Sequence, residues 1–181
     1  PQQHNRCRRQ LQMCIRDSLR AIEPEDLDLF YKWENDSSIW KISQTYKPFS
    51  RHLLKRYLEN AHQDIFTVKQ LRLMIEREGV AIGTIDLFDY EPMHARAGLG
   101  IWIVQESNRR QGYAKEALRL IIEYAFFKLQ LNQLYCNISA NNQASINLFS
   151  ALDFVLIGIK KKWNKSPNGW EDELMFQLLC E

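Results

Sequence analysis

Residues 109 to 118, RRQGYAKEAL, set two arginines and a glutamine ahead of Gly112 and then run on through helix-forming residues with no further breaker. A strand, a polar loop with a glycine and the start of a long helix together make an anion site. The first helical turn leaves backbone N–H groups unpaired, and the aligned peptide dipoles add partial positive charge there. Gly112 lets the backbone approach a ligand closely, Ala114 keeps the surface low, and Arg109, Arg110 and Lys115 bring positive charge. A pyrophosphate fits these features; solvated basic residues at a helix start would look the same. Neither Gly-Lys-Ser/Thr nor GxGxxG is present, so a nucleotide would be held by another arrangement.

A second group with chemical potential is the carboxylate pair Asp86 and Asp89 in TIDLFDYE. Either can accept a proton, but a three-residue separation points them to opposite faces of an ideal strand. At most one then reaches a given cleft, unless a bulge intervenes. Cys136 lies in an apolar run with no histidine beside it to activate it, which reads as core. His52, His62 and His94 are scattered, and no cysteine or histidine pair has ligand spacing, so no metal site is expected.

Several elements must position these groups. LRAI reads as a short strand, followed after Pro24 by a helix with Leu27, Phe30, Tyr31 and Trp33 at helical spacing. Ser50 is a cap for a second helix carrying Leu53, Leu54, Tyr57 and Leu58. IFTVKQ, LRLMIERE, VAIGTIDLFDY and AGLGIWIV are short, branched and aromatic, and predict an antiparallel meander. Ala114, Ala117, Leu118, Ile121, Ile122, Ala125, Phe126 and Leu129 form a sustained helical stripe. LYCNIS then predicts a strand, NQASINLFSAL a short helix, and FVLIGIKKKW and EDELMFQLL two closing strands.

The chain of 181 residues suits one domain. QLQMCIRDS resembles read-through of a sequencing adapter, so residues 1–18 are expected to be a non-native tail ahead of a single domain at 19–181. Of 24 basic and 22 acidic residues, that tail holds four arginines and one aspartate, which leaves 20 against 21. A nucleic-acid partner therefore loses its electrostatic support. No segment has the length and apolarity of a membrane span, and the four cysteines form no disulfide framework. A reducing compartment, the cytoplasm, is expected.

Arg109-Arg110-Gln111-Gly112-Tyr113-Ala114 resembles the Arg/Gln-x-x-Gly-x-Gly/Ala signature of the GNAT superfamily of acetyl-CoA-dependent N-acetyltransferases. NNQASINLFSALDF resembles that family's second segment, Asn-x-x-Ser-x-x-Leu-Tyr followed by a Gly-Phe strand start. The opening LRAIEPEDLDLFYKWEND and the closing GWEDELMFQLL resemble the branch containing ribosomal-protein and spermidine N-acetyltransferases. The resemblance implies an α/β GNAT fold: a mixed, mostly antiparallel sheet of six to seven strands, about four helices, and a central strand pair that splays apart. It also implies acetyl-CoA as donor, with Arg109 to Lys115 around the pyrophosphate, Asn142 on the cofactor's arm, and pantetheine pairing with backbone at Trp102, Ile103 and Val104. Asn142 serves equally as a helix cap.

In this family a tyrosine commonly protonates the departing thiolate, and Phe149 stands at that position; Asp153 replaces the usual glycine. A backbone N–H near Val104 would polarise the thioester carbonyl, and a carboxylate or water would deprotonate the amine. Two functions follow: acetyl transfer to a primary amine by direct attack, or binding of acyl-CoA without turnover, which Phe149 favours. The acceptor is a small amine, polyamine or peptide N-terminus. Lys41 and Lys47, with Trp40 and Tyr46, make SSIWKISQTYKPFS a poor polyamine loop. A monomer or homodimer is expected.

Overall fold

All but one of the branched and aromatic runs become strands in the computed structural model, which describes residues 19–37, 40, 47–61, 63–166 and 169–180. These strands are β1 (Leu19–Ala21), β2 (Leu71–Arg77), β3 (Val80–Glu91), β4 (Arg96–Ile103), β5 (Gln133–Ser139), β6 (Val155–Ser166) and β7 (Gly169–Leu179). The helices among the described residues are α1 (Leu27–Glu34), α2 (Arg51–Glu59), α3 (Ile65–Val68), α4 (Tyr113–Phe127) and α5 (Gln143–Ser150). One seven-stranded sheet runs β1-β2-β3-β4-β5-β7-β6. All neighbours are antiparallel except β4 and β5, which α4 joins as a parallel pair. The proposed tail, with Lys41 and Tyr46 of the aromatic loop, lies outside the described residues.

Sheet alternation divides the core in two. On one face Phe30 and Trp33 of α1 and Leu54 and Leu58 of α2 pack over Met74. On the other, Ala117, Leu118, Ile121 and Ala125 of α4 cover Ile85, Leu87, Leu99 and Leu134. The α4 residues are the stripe expected from the sequence. Ser50 caps α2 by accepting from Leu53 N at 3.1 Å, as expected. Asp26 closes the turn before α1: it accepts from Glu23 N at 2.8 Å and pairs with Arg20 at 2.7 Å.

IFTVKQ is not a strand. Asp64 caps the run as a helical turn, its carboxylate accepting from Thr67 N at 2.9 Å, and Lys69 ends it in the left-handed region at φ 56°. A satisfied N-cap and a left-handed exit outweigh the strand preference of four residues.

Two glycines allow the central strands to approach. A Cβ on Gly83 would lie 2.1 Å from the Trp102 carbonyl oxygen, and one on Gly98 would lie 2.3 Å from the Phe88 ring. The first obstacle is backbone and cannot rotate away. Gly83→Ala is therefore expected to cost about 3 kcal/mol, more than Gly98→Ala, as read by denaturant unfolding; equal stabilities would refute this difference.

Candidate active site

The loop after β4 is built around two left-handed residues. Arg110 has φ 61° and Gly112 has φ 93°. Gly112 occupies the N-cap of α4, with no side chain to bond the first turn. The N–H groups that a Ser or Asp cap would satisfy are thus left facing outward. Nothing lies within 4 Å of the position a Gly112 Cβ would take, so the approach is open. Around it, Gln111 donates to the Ser107 carbonyl, and the Arg77 guanidinium lies 5.4 Å from the Tyr113 ring centroid.

Arg109 and Arg110 divide the work. Arg109 folds back on the strand, donating from Nε to the Ile103 carbonyl and from Nη2 to the Val104 carbonyl, each at 3.1 Å. It fixes the end of β4. Arg110 is exposed and, among the described residues, pairs with no carboxylate.

β4 and β5 pair only over Arg96–Gly98 against Gln133–Tyr135, although both strands run on. This is the expected splay. Val104 corrects the sequence reading: its N–H donates to the Ile82 carbonyl of β3 at 3.0 Å and is not free to polarise anything. Peptide directions alternate along a strand, so the groups directed into the opening belong to Ile101 and Ile103. Trp102 points its ring to the α1–α2 face, edge-on to Trp33 at 5.8 Å between centroids, and its buried Nε1 has no acceptor among the described residues.

The two aspartates are placed very differently. Asp86 accepts from Arg72 Nε at 2.6 Å and Gln70 Nε2 at 3.1 Å, and Arg72 also reaches Glu34 at 3.1 Å. Its carboxylate is committed to this network. Asp89 sits at a break in the β3–β4 register, with φ 48°, and accepts from the Tyr135 hydroxyl at 3.1 Å. The bulge that could change its direction is present.

Burial first, and then the Asp89 charge and hydrogen bond, push the Tyr135 phenol up to about 12. Its folded value exceeds the usual ~10, so its contribution to stability is complete below ~10 and is lost as pH rises through about 12. Asp89→Asn is expected to move the Tyr135 ionisation back toward ~10 in an ultraviolet titration; an unchanged midpoint would assign the shift to burial alone. Burial also pushes the Cys136 thiol up to about 12, in keeping with a core role.

Phe149 is 3% exposed, edge-on to Phe154 at 5.1 Å within the core. Asn142 caps α5, its Oδ1 accepting from Ser145 N at 3.1 Å, which leaves its amide hydrogens as donors. Sequence reasoning assigned no site role to Arg72, Tyr57 or Tyr135. Only the alternation of Arg72 with Met74 along β2 hinted that a charge lies under α1. No group of three or more metal-ligating side chains gathers among the described residues, and no helix there is long and apolar enough to cross a membrane.

Comparison with known proteins agrees with this geometry. A family model described as an acetyltransferase (GNAT) domain matches residues 16–155. The chain is 26% identical over 165 residues to the uncharacterized N-acetyltransferase p20 of Bacillus licheniformis, covering 90% of this chain and 92% of the relative. It is 27% identical over 142 residues to the spermidine N(1)-acetyltransferase of Escherichia coli strain K12, covering 77% and 73%. Among solved structures, spermidine N-acetyltransferase from Vibrio cholerae in complex with CoA and spermine superposes with a TM-score of 0.79 at 21% identity, covering 90% and 94%.

Proposed function

The chain belongs to the GNAT family of acetyltransferases, and from that premise we propose that it moves an acetyl group from acetyl-CoA to a primary amine by direct attack in a ternary complex. Acetyl-CoA is the donor across this family. The observation that carries the reading is the uncapped, open N-terminus of α4 at Gly112, beside a strand pair that parts after Gly98. The pyrophosphate is received by the Gly112–Lys115 amides with Arg110, and the pantetheine lies along the Ile101 and Ile103 peptide groups. Asn142 is left to donate to the cofactor's arm.

In the reaction the amine nitrogen bonds the thioester carbon, the C–S bond breaks, and the thiolate takes up a proton. An Ile103 N–H directed at the carbonyl oxygen would stabilise its developing charge. Phe149 has no proton to give. A thiolate whose conjugate acid has a pKa of roughly 8.5 leaves without an obligatory acid, so water suffices. Asp86 is tied to Arg72, and Asp89 lies six strand residues, about 20 Å, from Gly83, the partner of Ile103, so an ordered water is the base. The acceptor side chains stand on the α1–α2 face. The protein works in the cytoplasm as a monomer or homodimer, and the described cysteines Cys136 and Cys180 are free thiols.

Calorimetric titration with acetyl-CoA, followed by thiol release against peptides, polyamines and small amines, tests the reading. Saturable binding and release with one amine class are expected. Binding without release from any amine would favour the rival reading, a non-catalytic acyl-CoA sensor, and absence of binding would remove both.

A further inference from the structure

Gly98 and Tyr135 are the last residues paired between β4 and β5, and both strands run on beyond them. Trp102 and Ser139 each stand four positions further, about 13 Å along their strands. They flank the opening at the height of Ile103, where the thioester carbonyl is placed. Side chains alternate along a strand, so Ser139 shares its face with Tyr135, and Trp102 shares the same face with Gly98. That face is the one covered by α1, because the Trp102 ring meets Trp33. An amine entering from the acceptor side therefore meets Ser139 on the β5 wall.

A serine hydroxyl has one proton to donate and two lone pairs. That of Ser139 donates to Glu171 Oε2 at 3.1 Å and accepts from Asn141 N at 3.3 Å, which leaves its second lone pair as an acceptor. Glu171 differs from the other carboxylates on this face. Arg72 holds Glu34 and Asp86, Lys160 and Asn164 Nδ2 occupy the two oxygens of Glu173, and Asp89 takes the Tyr135 hydroxyl at the closed end of the strand pair. Asn137, one step below Ser139 on its face, accepts from Lys160. Asn164 of β6 stands opposite Glu171 and turns its amide to Glu173. Among the described residues Glu171 pairs with no cation, so its charge is not neutralised. The β5–β7 pairing ends at Ser139 and Glu173, and β7 carries Glu171 two positions past that end, to the mouth of the opening.

We propose that Ser139 and Glu171 hold the water that serves as base and carry its proton out of the site. The inference rests on the transfer reading above. The water donates to the remaining lone pair of Ser139 and accepts from the amine N–H. As the C–N bond forms and the C–S bond breaks, the amine proton passes to the water, a water proton passes to Ser139 Oγ, and the Ser139 proton passes to Glu171. The carboxylate becomes a carboxylic acid and returns the proton to solvent at the mouth, while the departing thiolate takes one from solvent. Charge and atoms balance without a further reactant.

Thiol release measured across pH with ethylamine, spermidine and a tripeptide as acceptors tests the relay. Glu171→Gln still accepts from Ser139 but takes no proton, and at neutral pH both it and Ser139→Ala are expected to lower kcat/KM about 100-fold. The deficit is expected to narrow as pH rises and hydroxide removes the proton instead, whereas a structural loss would be the same at every pH. Ser139→Thr keeps the hydroxyl and recovers most of the activity. The double variant is no slower than the slower single one, because the two residues act as a unit. Calorimetry is expected to show acetyl-CoA affinity unchanged in all four. A deficit independent of pH, or single variants as active as the wild type, overturns the relay and leaves transfer standing. Wild-type protein that binds acetyl-CoA but releases no thiol with any of the three amines overturns transfer, and the relay with it.

Discussion

Valine at position 112 is expected to weaken acetyl-CoA binding about 100-fold while costing the fold only about 1–2 kcal/mol. The argument starts from space. A Cβ at Gly112 meets nothing within 4 Å, so no packing is lost. The backbone is the obstacle: φ 93° lies outside the range an L-residue adopts readily, and a β-branched residue least of all. The chain relieves the strain by turning the peptide back toward negative φ, and the first-turn N–H groups then no longer converge. Losing two charge-assisted contacts at roughly 1.5–3 kcal/mol each corresponds to about a hundredfold or more in affinity. Calorimetry with acetyl-CoA, paired with thermal unfolding, checks both halves. A folded variant that binds as tightly as the wild type would show that the pyrophosphate lies elsewhere.

The loop that opens α4 was legible because its demands are local. A glycine at a left-handed cap, small Ala114 behind it and flanking arginines occupy six consecutive residues, and the apolar stripe that follows reports the helix. Asp153, noted in the sequence only as a replacement for the family's glycine, has φ 66°, a conformation that aspartate tolerates better than most side chains. One failure was local too. IFTVKQ has strand composition, yet one capping carboxylate and one left-handed lysine turn it into α3.

Direction also failed where pairing partners were unknown. The sequence places Val104 at the end of β4, but only its bond to Ile82 shows that its N–H points away from the opening. Asp86 looked like a base because nothing in TIDLFDYE reveals that Arg72, fourteen residues earlier, lies 2.6 Å away. Ser139 and Glu171 come together through strand register, which leaves no sequence motif.

Arg72→Leu is expected to be the most destabilising of the charge-removing changes, at about 3–4 kcal/mol, which for a chain of this size lowers Tm by roughly 6–16 °C. Its side chain is 23% exposed and bridges Asp86, 15% exposed, and Glu34, 19% exposed. It also lies 5.7 Å from the Tyr57 ring centroid, so one side chain joins α1, α2, β2 and β3. Burial pulls the guanidinium down, but the Asp86, Tyr57 and Glu34 charges and the Asp86 hydrogen bond hold it above its ordinary value. Leucine fills much of the volume and leaves two half-buried carboxylates facing each other without a cation. The cost of that arrangement exceeds the worth of the pairs themselves. Arg72→Leu combined with Asp86→Leu and Glu34→Gln should therefore recover most of the loss, because no uncompensated charge remains. Denaturant unfolding at neutral pH measures both. A single variant within about 1 kcal/mol of the wild type would mean that water screens the carboxylates as it does a surface pair, and that the network orders the acceptor face without holding the fold.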